Sequence, residues 1–158
     1  MKKLLLSVIF AACSTTSFAD QLCSGTLEDI TIQGNVTITN TCKLARVKVD
    51  GNVVLSKNTT LTLLNSDIKG SVVTQGQFNT IEAINNQIEG QVHLQNGQNI
   101  RLVGNQIKGN IVVEKNLANI FIQNNRSSGN LKCQNNSMLP KGGQNYIAGD
   151  KEQQCLGL

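Results

Sequence analysis

A short phrase recurs along the chain and limits what it can fold into: IQGNV, VDGNV, IKGSV, IEGQV, IKGNI and SSGNL. Its glycines, Gly34, Gly51, Gly70, Gly90, Gly109 and Gly129, are spaced 17, 19, 20, 19 and 20 residues apart. A period of about twenty residues marks a stacked architecture in which each repeat is one structural turn. Aligned on the glycine, the position two before it holds Ile32, Val49, Ile68, Ile88, Ile107 and Ser127. The position two after it holds Val36, Val53, Val72, Val92, Ile111 and Leu131. Four after it come Ile38, Leu55, Thr74, Leu94, Val113 and Cys133. Alternation of β-branched and aliphatic residues with period two is the signature of strands with one buried side. Nine and seven before the glycine, pairs such as Leu61/Leu63 and Ile100/Leu102 supply a second alternating strand in each repeat. No repeat has room for a helix. The pattern predicts an all-β, single-domain parallel β-helix, right-handed, of about six coils of 17–20 residues, each stacked about 4.8 Å above the last.

Composition fits this reading. Aromatic residues are 3% of the 158, too few for a core built on large rings, whereas stacked aliphatic columns fill a narrow interior without them. The chain carries 20 Asn and 14 Gln. Four before the glycine, Asn86, Asn105 and Asn125 align, with Ser66 in the coil below. They read as an Asn ladder at a coil corner, with the asparagines themselves in left-handed backbone geometry. One before the glycine, Asp50, Lys69, Glu89 and Lys108 alternate in sign, and Glu82 stands below Arg101, so the charges read as register-fixing pairs between coils.

The first residues stand apart. Residues 1–19 read as a secretory signal peptide: Lys2 and Lys3, an apolar run from Leu4 to Cys13, and Ser17-Phe18-Ala19 before a cut at Asp20. The alternative is a lipobox ending at Cys13, which would anchor the protein to a membrane through a lipid. The leader holds two of the fourteen basic residues, so the formal charge of +4 falls to +2 without it. No polybasic segment is left to hold nucleic acid. Four cysteines remain, which fits an oxidising compartment, periplasmic or extracellular. They allow three pairings. Spacing favours Cys23 with Cys42 and Cys133 with Cys155, one disulfide at each end of the repeats. The expected organisation is a leader at 1–19, an N-terminal cap and first strand at 20–42, repeats at 30–133 and a C-terminal cap at 134–158. That last segment, with the single Pro and single Tyr, reads as a turn-rich lid.

From about Ile30 to Cys155 the chain resembles small secreted bacterial β-helix proteins of unassigned activity. The tail carries the likeness: GNLKCQNN followed by GGQNYIAGDKEQQC, where Cys133 and Cys155 match the two cysteines of a GNLxC and GxKExQC-like pattern. The resemblance implies the fold and the disulfide-tied cap, and it transfers no catalytic residue. The columns offer none either. Asp50 and Glu89 are two coils apart with Lys69 between them, Asp67 aligns with Gln87 and Gln106, and Glu114 aligns with Gln95 and Gln134. Paired carboxylates or a calcium cluster are therefore not expected, nor any cofactor or metal. One outward column is apolar where solvent favours polar groups: Val54, Val73 and Val112, interrupted by His93, the single histidine. Leu64, Ile84 and Val103 form another. A contiguous exposed apolar stripe usually has a cover, either the chain's own tail or entry segment or a partner. The function expected is that of a non-enzymatic exported structural or interaction protein. Its partner would be a protein or envelope component, including a second copy of the chain. A glycan-binding module is the alternative and a polysaccharide-active enzyme the remote one.

Overall fold

The computed structural model describes residues 20–158. The leader, the cut before Asp20 and Cys13 lie outside the described residues. The described chain has no helix. It opens with β1 (Gln21–Glu28), β2 (Thr31–Ile32) and the long β3 (Val36–Ala45). Three-strand units then repeat. They are β4 (Lys48–Val49), β5 (Val53–Leu55) and β6 (Thr60–Leu64), then β7 (Asp67–Ile68), β8 (Val72–Thr74) and β9 (Phe78–Ile84). Next come β10 (Gln87–Ile88), β11 (Val92–Gln95) and β12 (Gly97–Val103), followed by β13 (Gln106–Ile107), β14 (Ile111–Glu114) and β15 (Ile120–Gln123). The last are β16 (Arg126–Ser127), β17 (Leu131–Gln134) and β18 (Lys141–Gly143), with β19 (Tyr146–Ile147) and β20 (Lys151–Gln153) closing the chain.

Every pairing is parallel and joins a strand to its counterpart one turn away. The result is a parallel β-solenoid of about seven turns with three walls. The first wall holds β5, β8, β11, β14, β17 and β20, and the second holds β6, β9, β12, β15 and β18. The bent strand β3 belongs to both and joins them into one 13-stranded sheet. The third wall is a separate sheet of seven strands of two residues each. The three aliphatic columns read from the sequence point inward and are buried along their whole length.

The repeated glycine has a steric role. Gly70, Gly90 and Gly109 each donate their N–H to the glycine carbonyl of the preceding turn at 3.0 Å. A Cβ at Gly51, Gly70 or Gly90 would collide with that same carbonyl oxygen, so the close approach of stacked backbones admits no side chain.

Three differences from the sequence expectation have physical causes. First, the left-handed residue at the corner between the second and third walls is one position earlier than expected. Asn65, Asn85, Gly104 and Asn124 have φ of 49° to 68°, while the ladder asparagines follow them. The turn then aims Asn86, Asn105 and Asn125 inward, where all three are 1% exposed. Second, residues 134–158 form a seventh turn. β18, β19 and β20 pair in register with β15, β16 and β17. Only Gln154–Leu158 closes the end, with Cys155 and Leu158 buried. Third, the entry segment is also a turn, because β1 pairs along β3 from Gln21↔Val36 to Glu28↔Ala45. Disulfides Cys23–Cys42 and Cys133–Cys155 tie these outermost turns to their neighbours, with Cα separations of 5.8 and 5.1 Å.

Candidate functional site

Regularity on the inside comes from amides. Asn86 Nδ2 donates to Asn105 Oδ1 at 2.9 Å, Asn105 Nδ2 to Asn125 Oδ1 at 2.9 Å, and Asn125 Nδ2 to Asn145 Oδ1 at 3.1 Å. Each Oδ1 also accepts the backbone N–H of the preceding member, and each Nδ2 reaches a second-wall carbonyl of the preceding turn. Ser66 continues the column by accepting from the Val47 N–H. A second ladder, Asn116 to Asn136 to Gln154, stands at the corner between the first and second walls and was not read from the sequence. No buried side-chain nitrogen or oxygen among the described residues lacks a partner. These amides are spent on holding turns together, and the ladder asparagines are buried.

The outward charges pair between turns as well: Lys69 with Asp50 at 2.6 Å, Lys108 with Glu89 at 3.1 Å, and Arg101 with Glu82 at 3.3 Å. Arg101 also lies 5.1 Å from the ring centre of Phe121. At the N-terminal end Arg46 bridges Glu28 and Asp29, and its hydrogen bond holds the Asp29 carboxyl below the usual aspartate range.

The candidate surface lies on the first wall. Register places Thr37, Val54, Val73, His93, Val112, Lys132 and Glu152 in one outward row. Val54, Val73, His93 and Val112 are each half-buried by their stacked neighbours and open on the outer side. The structure therefore brings the four residues together as one stripe. Neither end of the described chain covers it, because the entry segment and the tail extend the walls instead of crossing them. The second apolar row, Leu64, Ile84 and Val103, is half-buried beside the left-handed corner.

His93 has a partner that the vertical alignment does not show. Its Nε2 lies 3.1 Å from Oε1 of Glu114, one turn up and one pair of residues along the strand. Gln134 donates to the other oxygen of Glu114. These two hydrogen bonds, Gln134 first, hold the Glu114 carboxyl below its ordinary range against the opposing effect of burial. Among the described residues no hydroxyl or thiol is hydrogen-bonded to the pair, and no three His, Cys, Asp or Glu side chains gather as metal ligands.

Sequence reading missed a second apolar patch, at the C-terminal end of the second wall. Leu139 is 71% exposed, Leu117 55% and Met138 44%. Met138 and Leu139 border a hollow of about 170 Å³ with Phe121. The Met138-Leu139 pair lay in the segment read as a lid, where it had no column to align with.

Comparison with known proteins finds no matching family model, no curated protein with significant similarity, and no solved structure with significant similarity.

Proposed function

We propose that this protein is an exported, non-catalytic interaction protein, a rigid rod whose first wall docks a protein partner in the bacterial envelope or the extracellular space. The observation that carries the reading is the Val54, Val73, His93 and Val112 stripe, aligned in register and left open by the chain's own ends. A flat apolar row held on a stiff scaffold suits docking, since the wall does not need ordering when a partner binds. Export is supported by the leader-like residues 1–19 and by two disulfides, which fit an oxidising, extracytoplasmic environment.

The test is co-purification from the native envelope with quantitative mass spectrometry, comparing wild type, Val73→Lys and the second-wall control Thr62→Lys. Val73 points outward, so the fold should melt as wild type does. An unpaired charge placed in an apolar contact costs several kcal/mol, enough to abolish association. A partner lost from Val73→Lys and kept by Thr62→Lys is the expected result. Identical partner profiles for all three proteins would refute the reading.

A further inference from the structure

The third wall differs from the other two in carrying a trough. Its strands are only two residues long, and side chains on either side of them stand up as low banks. Two hollows of about 430 and 170 Å³ lie along it and meet at Gln87 and Glu89. Together they run lengthwise along the rod from the layer of Thr31 to that of Ser128.

The chemistry of the banks is specific. One bank is formed by Asp50, Lys69, Glu89 and Lys108, whose charges cancel pairwise at 2.6 and 3.1 Å. The other carries Lys48, Asp67, Gln87, Gln106, Arg126 and Tyr146 in strict register, one residue per turn. The side-chain amides of Gln87 and Gln106 make no hydrogen bond to the protein among the described residues, whereas their chain neighbours Asn86 and Asn105 spend theirs in the interior ladder. At the end of the row the Arg126 guanidinium is stacked 4.3 Å from the ring centre of Tyr146, and that residue is 58% exposed.

We infer that this trough binds a neutral, linear glycan strand lying along the rod axis. Gln87 and Gln106 hydrogen-bond sugar hydroxyls, and the Arg126–Tyr146 stack at the end of the trough gives the last sugar a surface to pack against. Three features select that occupant. Two turns span about 9.6 Å, close to the disaccharide after which a β-1,4-linked glycan presents the same edge, whereas same-face residues of an extended peptide repeat about every 6.6 Å and fall out of step within a few turns. A primary amide both donates and accepts, as a hydroxyl does, so a row of free amides matches a polymer of hydroxyls. The lining charges nearly balance, Lys48, Lys69, Lys108 and Arg126 against Asp50, Asp67 and Glu89, so the trough offers a polyanion little net field.

This site is independent of the first-wall reading, and the experiment separates the two. The full mature chain is titrated with neutral hexasaccharides of β-1,4-linked glucose, N-acetylglucosamine, mannose and xylose. Hexagalacturonate serves as the anionic control. Binding is followed by NMR of the side-chain amides of Gln87 and Gln106 and of the Tyr146 ring, at 50 and 500 mM NaCl. At least one neutral hexasaccharide should shift all three signals, with an affinity that salt leaves unchanged within about twofold. The Gln87→Ala/Gln106→Ala variant should weaken it about tenfold or more. Val73→Lys should bind it as wild type does, whatever becomes of the protein partner. Absence of any shift up to millimolar sugar would overturn the inference. So would tighter, salt-sensitive binding of the galacturonate, or shifts confined to the first wall.

Discussion

Asn105 sits in the middle of the interior ladder, and its replacement by Ala has a cost that can be worked from its contacts. Its Oδ1 accepts from the Asn86 N–H at 3.0 Å and from Asn86 Nδ2 at 2.9 Å. Its Nδ2 donates to Ala83 O at 2.8 Å and to Asn125 Oδ1 at 2.9 Å. Alanine removes all four bonds at a position that is 1% exposed. The Asn86 amide also donates to Leu63 O, and Asn125 Oδ1 still accepts the residue 105 N–H, so both remain partly satisfied. The Asn86 backbone N–H is left with no partner in the interior. One orphaned buried donor costs about 1–3 kcal/mol, and each further lost bond about 1 kcal/mol net. Water entering the small vacated space recovers part of this, so the expected loss is about 3 kcal/mol, a large fraction of the stability of an ordinary domain. Asn105→Ser is the control, because Ser66 occupies this column naturally and its Oγ accepts the N–H of Val47. It should keep an acceptor for the Asn86 N–H and cost about 1 kcal/mol. Denaturant unfolding followed by circular dichroism gives the two differences, and hydrogen exchange at the Asn86 amide gives the local one. If the Ala and Ser variants both lie within about 0.5 kcal/mol of wild type and Asn86 stays protected, the ladder does not stabilise the fold.

Two further outcomes are expected. Phe78 is fully buried and in register with Gly97, where a Cβ would run into its ring, so Gly97→Ala should destabilise by about 1–3 kcal/mol as overpacking does. Phe78→Leu in the same chain should relieve most of that cost, and a double-mutant cycle by thermal melting with no coupling between the two positions would contradict the contact. Glu114 is held below the ordinary glutamate value of 4.5 by Gln134 and His93. Because the folded state binds its proton less readily than the unfolded state, its contribution is complete above that value and lost as pH falls through the lower folded one. Stability measured from pH 6 to pH 3 should therefore fall less steeply in Glu114→Gln than in wild type, and parallel curves would show that the carboxylate is not held by its neighbours.

Much of the architecture was legible in the residues. Period-two aliphatics recurring every twenty residues leave few folds other than stacked parallel coils, because only stacking buries every column against its own kind. The same alignment placed Asp50, Lys69, Glu89 and Lys108 in one row and the cysteines at the two ends, as the ion pairs and disulfides show. Ladder membership followed from the alignment of Asn86, Asn105 and Asn125, but their backbone geometry did not. Asn accepts left-handed angles readily, and position alone could not decide between Asn85 and Asn86.

The tail hid its turn because the positions that continue the buried columns there, Pro140, Gly142, Lys151 and Gln153, carry almost no aliphatic signal and, at the end of the stack, are half-buried or exposed. What continues there is hydrogen bonding, through Asn145, Asn136 and Gly149, a signal visible in the sequence only once the ladder position is known. Other features depended on the folded turn itself. The diagonal contact of His93 with Glu114, the bare stripe on the first wall and the trough on the third are relations between residues some twenty apart and offset within their turns. Alternation states which side of a wall a residue faces. It does not state how far the wall runs before it turns, nor which outer face the chain's own ends leave open. Corner geometry and the path of the two ends settle both, and those are fixed only when the turns close on one another.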